Sequence, residues 1–370
     1  MSISVGLDAR FASARYDGVS RYVAALAEEL SSAQDGVQLS VLPPPISDPP
    51  RHPLRVNGNR LLRVPPRSSR AESAWSQWDI PRVARESGID VWHTPFSLAP
   101  VHSSAASVVT LHDCIPERFP RYFGLAHRLA YRATTALALR NARLVVVPSE
   151  STADDAQRFY RVPRQKLRVI AEGVRVPPES DARDAARIRE SLGVGDGYLL
   201  TVGRLRPHKG YGRIMRALAR MHAHQRPLLV SVGRDDPRLA DGSPELARSL
   251  GIRQKRLHDL TDEQLDAVYR GAELVLVPSL VEGFGLPVLE AFARGAPVLA
   301  SAIQPLQRTG ADVARYVRGE SAEWAEAITG ALDDGAWQAS SRVRGPEQAA
   351  RFPWSETAAS TARAYQEAAS

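Results

Sequence analysis

Short runs of β-branched and aliphatic residues alternate with amphipathic helical patterns along almost the whole chain. The first run, ISVGLD at 3–8, leads into a loop that ends at Gly18 and then into the helical pattern SRYVAALAEELSS. Further apolar runs follow at VQLSVLP, IDVWHTP, SVVTLHD and RLVVVPS. Beyond residue 177 the alternation resumes with YLLTVGR, the helical IMRALARMHA, then PLLVSVGR, ELVLVPS and APVLAS. Strand and helix in turn is the pattern of a parallel sheet covered on both faces, so the fold class is α/β. No segment repeats at a solenoid period. The polar, proline-bearing stretch VRVPPESDARDAARIRESLGVGDG, residues 174–197, precedes a fresh strand and marks the expected domain boundary. Residues 1–176 and 177–350 are then two doubly wound, Rossmann-like domains. A closing helix in 351–370 is expected to pack back on the first. Ligands of such sheets bind outside the carboxyl ends of the strands, and two such edges are expected to face each other across a cleft.

Composition narrows the class. A chain of 370 residues is too long for one core, and 44% hydrophobic with 24% charged residues suits a water-soluble globular protein. MSISVGLDAR is strand-like from the outset, which argues against a secretory signal, and the apolar runs are too short to span a bilayer. Cys114 is the single cysteine, so no internal disulfide forms, and a cytoplasmic location is expected. The net charge is +7, and residues 51–70 carry six arginines and no acid. Such a stretch is either a solvated loop or a surface for an anionic membrane or phosphorylated ligand. Nucleic acid is excluded as the expected partner, because the stretch has no aromatic residue for stacking and matches no binding module.

The densest special geometry lies in EGFGLPVLEAFARGAPVLAS, residues 282–301. ELVLVPS reads as a strand, LVEGFG as a loop and LPVLEAFAR as a helix. Pro287 suits the first helical position, and Gly295 with Pro297 stops the helix. Gly283, Phe284, Gly285 and Leu286 leave backbone N–H groups at a helix start, where the dipole favours an anion such as phosphate. Glu290, one turn in, is placed to reach a hydroxyl beside that phosphate, and Glu282 to face the other end of the ligand. The competing readings are a solvated acid for Glu282 and, for Glu290, a surface ion pair with Arg294 worth about 0.2–0.5 kcal/mol. In TVGRLRPHKGYGRI, Arg204 and Lys209 bracket another loop, where two cations would neutralise a diphosphate. Arg206, Arg213 and Arg216 read as ordinary surface charge. His112 ends the strand in VVTLHDCIPERFP, as His93 does in VWHTP. Such a histidine binds a sugar hydroxyl or moves a proton, or merely caps and packs. No spacing suggests a metal site.

These motifs together resemble a retaining glycosyltransferase of family 4, the group 1 glycosyltransferases with the GT-B fold, over nearly the whole chain. The strongest element is EGFGLPVLE, an acid at 282 and another at 290 with seven residues between, followed by AFARGAPVLAS. VGRLRPHKG resembles the family's donor-phosphate loop, GVSRYVAALAEEL its first-domain glycine loop and TLHDCIPERFP its acceptor-side histidine segment. VVVPSESTADDAQRFYRVPRQKLRVIAEGV is similar to the segment leading to the interdomain linker, and FPWSETA to the closing helix. The resemblance implies that Glu290 holds the ribose of a nucleotide-sugar donor. It implies that Arg204 and Lys209 clamp the diphosphate with help from backbone at Gly18, Phe284 and Gly285. Glu282 would contact the transferred sugar, and His112 would lie close to the reacting carbon. It also implies retention of configuration without a metal, by front-side attack in which the leaving phosphate takes the acceptor's proton.

The sequence departs from the family at EGVRV, with Glu172 and Arg175 where Asn-Gly-Val-Asp is usual, and at QRTGADVA, with Arg308 and Thr309. The two motif loops look most like those of bacterial mannosyltransferases of surface polysaccharide synthesis. GDP-mannose is therefore the leading donor, with UDP-glucose and other UDP- or dTDP-sugars as alternatives. The acceptor implied is a glycan or a polyprenyl-diphosphate-linked saccharide, met through peripheral contact at the inner membrane. RYFGLAHRLAYRATTALALR, residues 121–140, reads as a helix that either packs in the core or joins in that contact. A subunit that binds sugar nucleotide without turnover is the alternative of another class.

Overall fold

The computed structural model describes residues 2–12, 17–32, 36–43, 60–62, 72–177, 181–236 and 242–370. Of the arginine-rich stretch 51–70, only 60–62 fall among them. The chain divides into two compact units. The first comprises Met1–Pro120, Gly124–Gly173 and Pro353–Ser370, and the second Arg121–Phe123 and Val174–Phe352.

Among the described residues, the first unit is built on seven parallel strands: β1 (Ile3–Asp8), β2 (Val37–Leu42), β3 (Arg60–Leu61), β4 (Val91–Thr94), β5 (Ala106–Thr110), β6 (Leu144–Val147) and β7 (Leu167–Val169). Their spatial order is β3-β2-β1-β4-β5-β6-β7, with Val5 opposite Val91 and Ile3 opposite Val37. The sequence direction of neighbours reverses between β1 and β4, the switch point of a doubly wound sheet. The central strands read as unbroken apolar runs because both faces are covered: Val5, Leu7, Val91, Val108 and Val145 are wholly buried. The helix Asp17–Ser32 turns Tyr22, Val23, Leu26 and Leu30 inward at helical spacing. They share one core cluster with Ala358, Ala362 and Tyr365 of the closing helix Trp354–Ala369. That helix belongs to the first unit. Its start is fixed at Gly173, where a Cβ would fall 2.6 Å from the backbone of Trp354, and the Thr357 hydroxyl donates to the Ala171 carbonyl at 2.9 Å.

Among the described residues, the second unit holds six parallel strands: β8 (Tyr198–Val202), β9 (Leu229–Val232), β10 (Gln254–Leu257), β11 (Ala272–Val277), β12 (Val298–Ser301) and β13 (Arg315–Val317). Their order is β10-β9-β8-β11-β12-β13. Leu199, Leu274, Leu276 and Leu299 pack with Ile214, Met215 and Leu218 of the helix Tyr211–Arg220 and with Trp324 and Ile328 of the helix Ser321–Asp333. Here the switch point lies between β8 and β11. The loops that leave those two strands are therefore neighbours, although some seventy residues separate them in sequence.

Two glycine substitutions should move stability in opposite directions. Gly173→Ala drives a methyl group into the Trp354 backbone and should cost about 1–3 kcal/mol. Gly330→Ala, mid-helix with no described atom within 4 Å of the new Cβ, should add about 0.5–1 kcal/mol. Urea denaturation of the two variants beside the parent chain checks both signs.

Candidate active site

β11 delivers the chain to the loop 278–285 and then to the helix Leu286–Phe292. Gly285 precedes that helix with φ 110°, a region that only glycine occupies without strain. A Cβ there would lie 2.9 Å from Leu306 and 3.0 Å from the Thr309 hydroxyl, so the backbone needs glycine for space as well. Among the described residues no side chain caps this end, and Pro287 in the first turn brings no N–H of its own. Val288, Leu289, Ala291 and Phe292 are buried, and Phe284 sits edge-on to Phe352 at 5.8 Å. Gly283 and Leu286 are half-buried at the same turn.

The neighbouring loop leaves β8 through Gly203 and half-buried Arg204, makes a short turn at Pro207–Lys209, and closes at Gly210 with φ 73°. A Cβ on Gly210 would meet the Pro278 carbonyl oxygen at 2.2 Å. The Leu280 N–H also donates to the His208 carbonyl at 2.7 Å. Backbone is thus locked to backbone, and the lock brings two residues singled out in sequence into contact. Lys209 Nζ lies 2.7 Å from Glu282 Oε1, and the same oxygen accepts the Ser279 hydroxyl at 2.6 Å. The two side chains are 19% and 11% exposed, enough shelter for the charge pair to matter and enough access for an anion to compete. His208 adds no charge. Burial first, then the cations of Lys209 and Arg206, push its imidazole down to about 3.

Glu290 is buried at 7% exposure, and its Oε2 accepts the Tyr269 hydroxyl at 2.9 Å. The competing reading, a surface ion pair with Arg294, is not what forms. The Arg294 guanidinium donates to the backbone carbonyl of Glu290 at 2.9 Å, lies 3.1 Å from Asp266 and covers the Tyr269 ring at 5.1 Å. Asp266 and Tyr269 share the helix Asp262–Arg270, whose packing draws the guanidinium off the carboxylate. Arg206 and Arg213 are also more than loose surface charge. Arg206 pairs with buried Asp236 at 3.0 Å and Arg213 with Glu320 at 3.0 Å, whereas Arg216 is exposed.

In the first unit, His112 follows β5 and is held at both ring nitrogens. Nδ1 is 2.9 Å from Glu172 Oε1, and Nε2 is 3.2 Å from the Pro95 carbonyl. Tyr22 stands edge-on to the ring at 4.9 Å. Burial opposes a charge on His112, but the hydrogen bond and charge of Glu172, with Asp113 and the Pro95 carbonyl, raise its pKa above the usual value. His93 is the reverse case. It is fully buried between the Tyr365 and Thr110 hydroxyls, and burial, with the charge of His112, pushes it down to about 3. Gly18 is exposed in the first turn of Asp17–Ser32, with no described atom within 4 Å of an added Cβ. Burial, with Asp113 beside it, raises the Cys114 thiol pKa, which leaves it an inert thiol.

The 121–140 segment packs in the core only at its end, through Ala138 and Leu139. The helix Leu125–Asn141 buries only Thr135, Ala138 and Leu139, and it exposes Leu125, Leu129 and Leu137. Arginines at 128, 132 and 140 fill out a helix with no acid of its own, and Arg132 is offset by Glu117 from the preceding helical turn. Among the described residues, no three His, Cys, Asp or Glu side chains form a metal-binding group, and no helix is long and apolar enough to cross a membrane.

Sequence reasoning missed Ser279 and Tyr269. Ser279 ends the quoted run ELVLVPS, where a hydroxyl at a strand end was a usable signal. Tyr269 reaches Glu290 only through helix packing, which leaves no local trace. Removing its hydroxyl in Tyr269→Phe takes a donor from a buried carboxylate and should cost about 1–3 kcal/mol in urea denaturation.

Residues 16–176 match the family described as Glycosyltransferase Family 4, and residues 183–349 that described as Glycosyl transferases group 1. Among curated relatives, the chain is 31% identical over 243 residues to the D-inositol 3-phosphate glycosyltransferase of Corynebacterium glutamicum. That match covers 62% of this chain and 58% of the relative's length. It is 27% identical over 323 residues to O-antigen chain mannosyltransferase B of Escherichia coli, covering 85% of this chain and 81% of that protein. The fold is that of the sucrose-phosphate synthase of Thermosynechococcus elongatus, with a TM-score of 0.77 at 21% identity over 99% of this chain and 98% of the other. With a family match on each of its two parallel-sheet units, the chain belongs to the family 4, group 1 glycosyltransferases of the GT-B fold.

Proposed function

We propose that the chain is a retaining, metal-independent glycosyltransferase that moves mannose from GDP-mannose onto a glycan or polyprenyl-diphosphate-linked saccharide of a cell-surface polysaccharide. The observation that carries this reading is Lys209 held 2.7 Å from Glu282 at the switch point of the second sheet, on the loop that leads to buried Glu290. In that pair the ammonium is neutralised by a carboxylate. A diphosphate, with more charge and more acceptor oxygens, competes for Lys209 and frees Glu282 for the hydroxyls of the transferred sugar.

Arg204 shares the diphosphate, backbone at Gly283, Phe284, Gly285 and Leu286 serves its phosphates, and Glu290 takes the ribose hydroxyls. As the bond from C1 to the phosphate oxygen breaks, charge gathers on the departing diphosphate. Fixed cations at Lys209 and Arg204 stabilise it there without rearranging. The acceptor oxygen bonds to C1 from the same face, and its proton passes to the departing phosphate oxygen. His112 contributes beside the reacting carbon. Mannose as the transferred sugar is supported by the relative named as an O-antigen chain mannosyltransferase. Peripheral contact with the cytoplasmic face of the membrane is supported by the exposed leucines and arginines of Leu125–Asn141.

Calorimetric titration with GDP, UDP, dTDP and ADP in metal-free buffer tests the donor site. GDP should bind most tightly. Glu290→Ala should weaken GDP, UDP and ADP alike, since all three carry the ribose hydroxyls it takes, and Lys209→Ala should weaken binding at least roughly tenfold, a loss of about 1.4 kcal/mol. Exposed Arg216→Ala should leave it unchanged. Equal effects of Lys209→Ala and Arg216→Ala would overturn the clamp, and a UDP preference would overturn the donor.

A further inference from the structure

Among the histidines of the first unit, His112 has both ring nitrogens turned toward acceptors. Nδ1 faces Glu172 Oε1 at 2.9 Å and Nε2 the Pro95 carbonyl at 3.2 Å. A carbonyl oxygen only accepts, and so does an ionised carboxylate. A neutral imidazole carries one N–H and would leave one contact as two lone pairs facing each other. Both contacts are satisfied when the ring carries two protons. Little water is present to repair a mismatch, since the His112 side chain is 18% exposed and that of Glu172 is 8%.

We propose that Glu172 is a positioning residue that holds His112 as an imidazolium at neutral pH. The charged and titratable groups around the ring agree with this. Asp113 follows it in the chain and adds negative charge. Tyr22, edge-on to the ring, keeps its hydroxyl near Thr110 at 3.3 Å, and burial raises its own pKa so that it stays neutral. His93 is held neutral between Tyr365 and Thr110 and does not compete for the proton.

The consequence rests on the transferase reading above. An imidazolium with both N–H groups engaged has no lone pair to take a proton. His112 is therefore a fixed cation and not a general base, and the acceptor's proton leaves with the departing phosphate. The sign of the linkage follows from the raised pKa. Stability from the pair is fully present below the ordinary histidine value near 6.5 and is lost as pH rises through the higher folded value.

The test is an NMR titration of the full chain, with the His112 ring signals assigned by their loss in His112→Asn. In the parent chain His112 should titrate above 6.5, with both nitrogens showing the imidazolium shift at pH 7. In Glu172→Gln, of equal size but uncharged, burial prevails and the midpoint should fall below 6.5. Glu172→Asp, which keeps the charge, should restore part of the shift. A parent His112 that titrates at or below 6.5, or a midpoint unmoved in Glu172→Gln, would overturn the proposal. The measurement needs neither donor nor acceptor, so it stands or falls apart from the transferase reading. A companion pH–rate profile, falling with rising pH in Glu172→Gln but level in the parent, separates positioning from a merely structural role.

Discussion

Everything at the site of the second unit depends on two loops being held against each other through their backbones. Gly210 lies against the Pro278 carbonyl with no room for a Cβ, and Leu280 donates to His208. Both contacts exist because β8 and β11 are neighbours at the point where the strand order reverses. Side chains at the ends of long, flexible stems rarely meet by themselves, since ordering them costs entropy. A rigid pair of loops removes much of that cost and leaves Lys209 beside Glu282 before any ligand arrives. The glycines of the motif follow from the same constraint. Gly285 and Gly210 mark places where the chain must turn left-handed against a neighbouring segment.

The same physics sorts the charges. Burial, with like charge nearby, drives a histidine neutral, as at His93 and His208, and a buried counter-charge reverses it, as Glu172 does for His112. Lys209 has Glu282, Arg206 has Asp236 and Arg294 has Asp266. A basic protein built this way does not present a diffuse positive surface around its second-unit loops. Lys209, Arg206 and Arg294 are each held against a particular carboxylate.

Much of this was legible in the sequence because it is local. Unbroken apolar runs between helical patterns announce parallel strands covered on both faces, and both sheets have that form. Gly283, Gly285 and Pro287 around a helix start, and the paired loops RLRPHKG and VEGFG, are read from nearest neighbours. What escaped is tertiary. The burial of Glu290 comes from Tyr269 on another helix, and Arg294 is drawn away by Asp266, so a spacing of four residues suggested a surface pair that does not form. Arg206 looked interchangeable with other loop arginines because Asp236, thirty residues on, is invisible to pattern. The helix Leu125–Asn141 misled in the other direction. Its leucines recur as a core helix would have them, yet only Leu139 is buried, and Leu125, Leu129 and Leu137 stay in water. Glu172 was visible as an oddity of the linker, and only the fold showed what it holds.

The most direct test of the whole account is a transfer assay on the full chain with GDP-mannose, a lipid-diphosphate-linked saccharide acceptor and EDTA, with the product's anomeric configuration read by proton NMR. The account predicts a mannosyl product with the configuration of the donor, formed at a rate that EDTA leaves unchanged. A product of inverted configuration, or one that forms only when a divalent metal is restored, would contradict it.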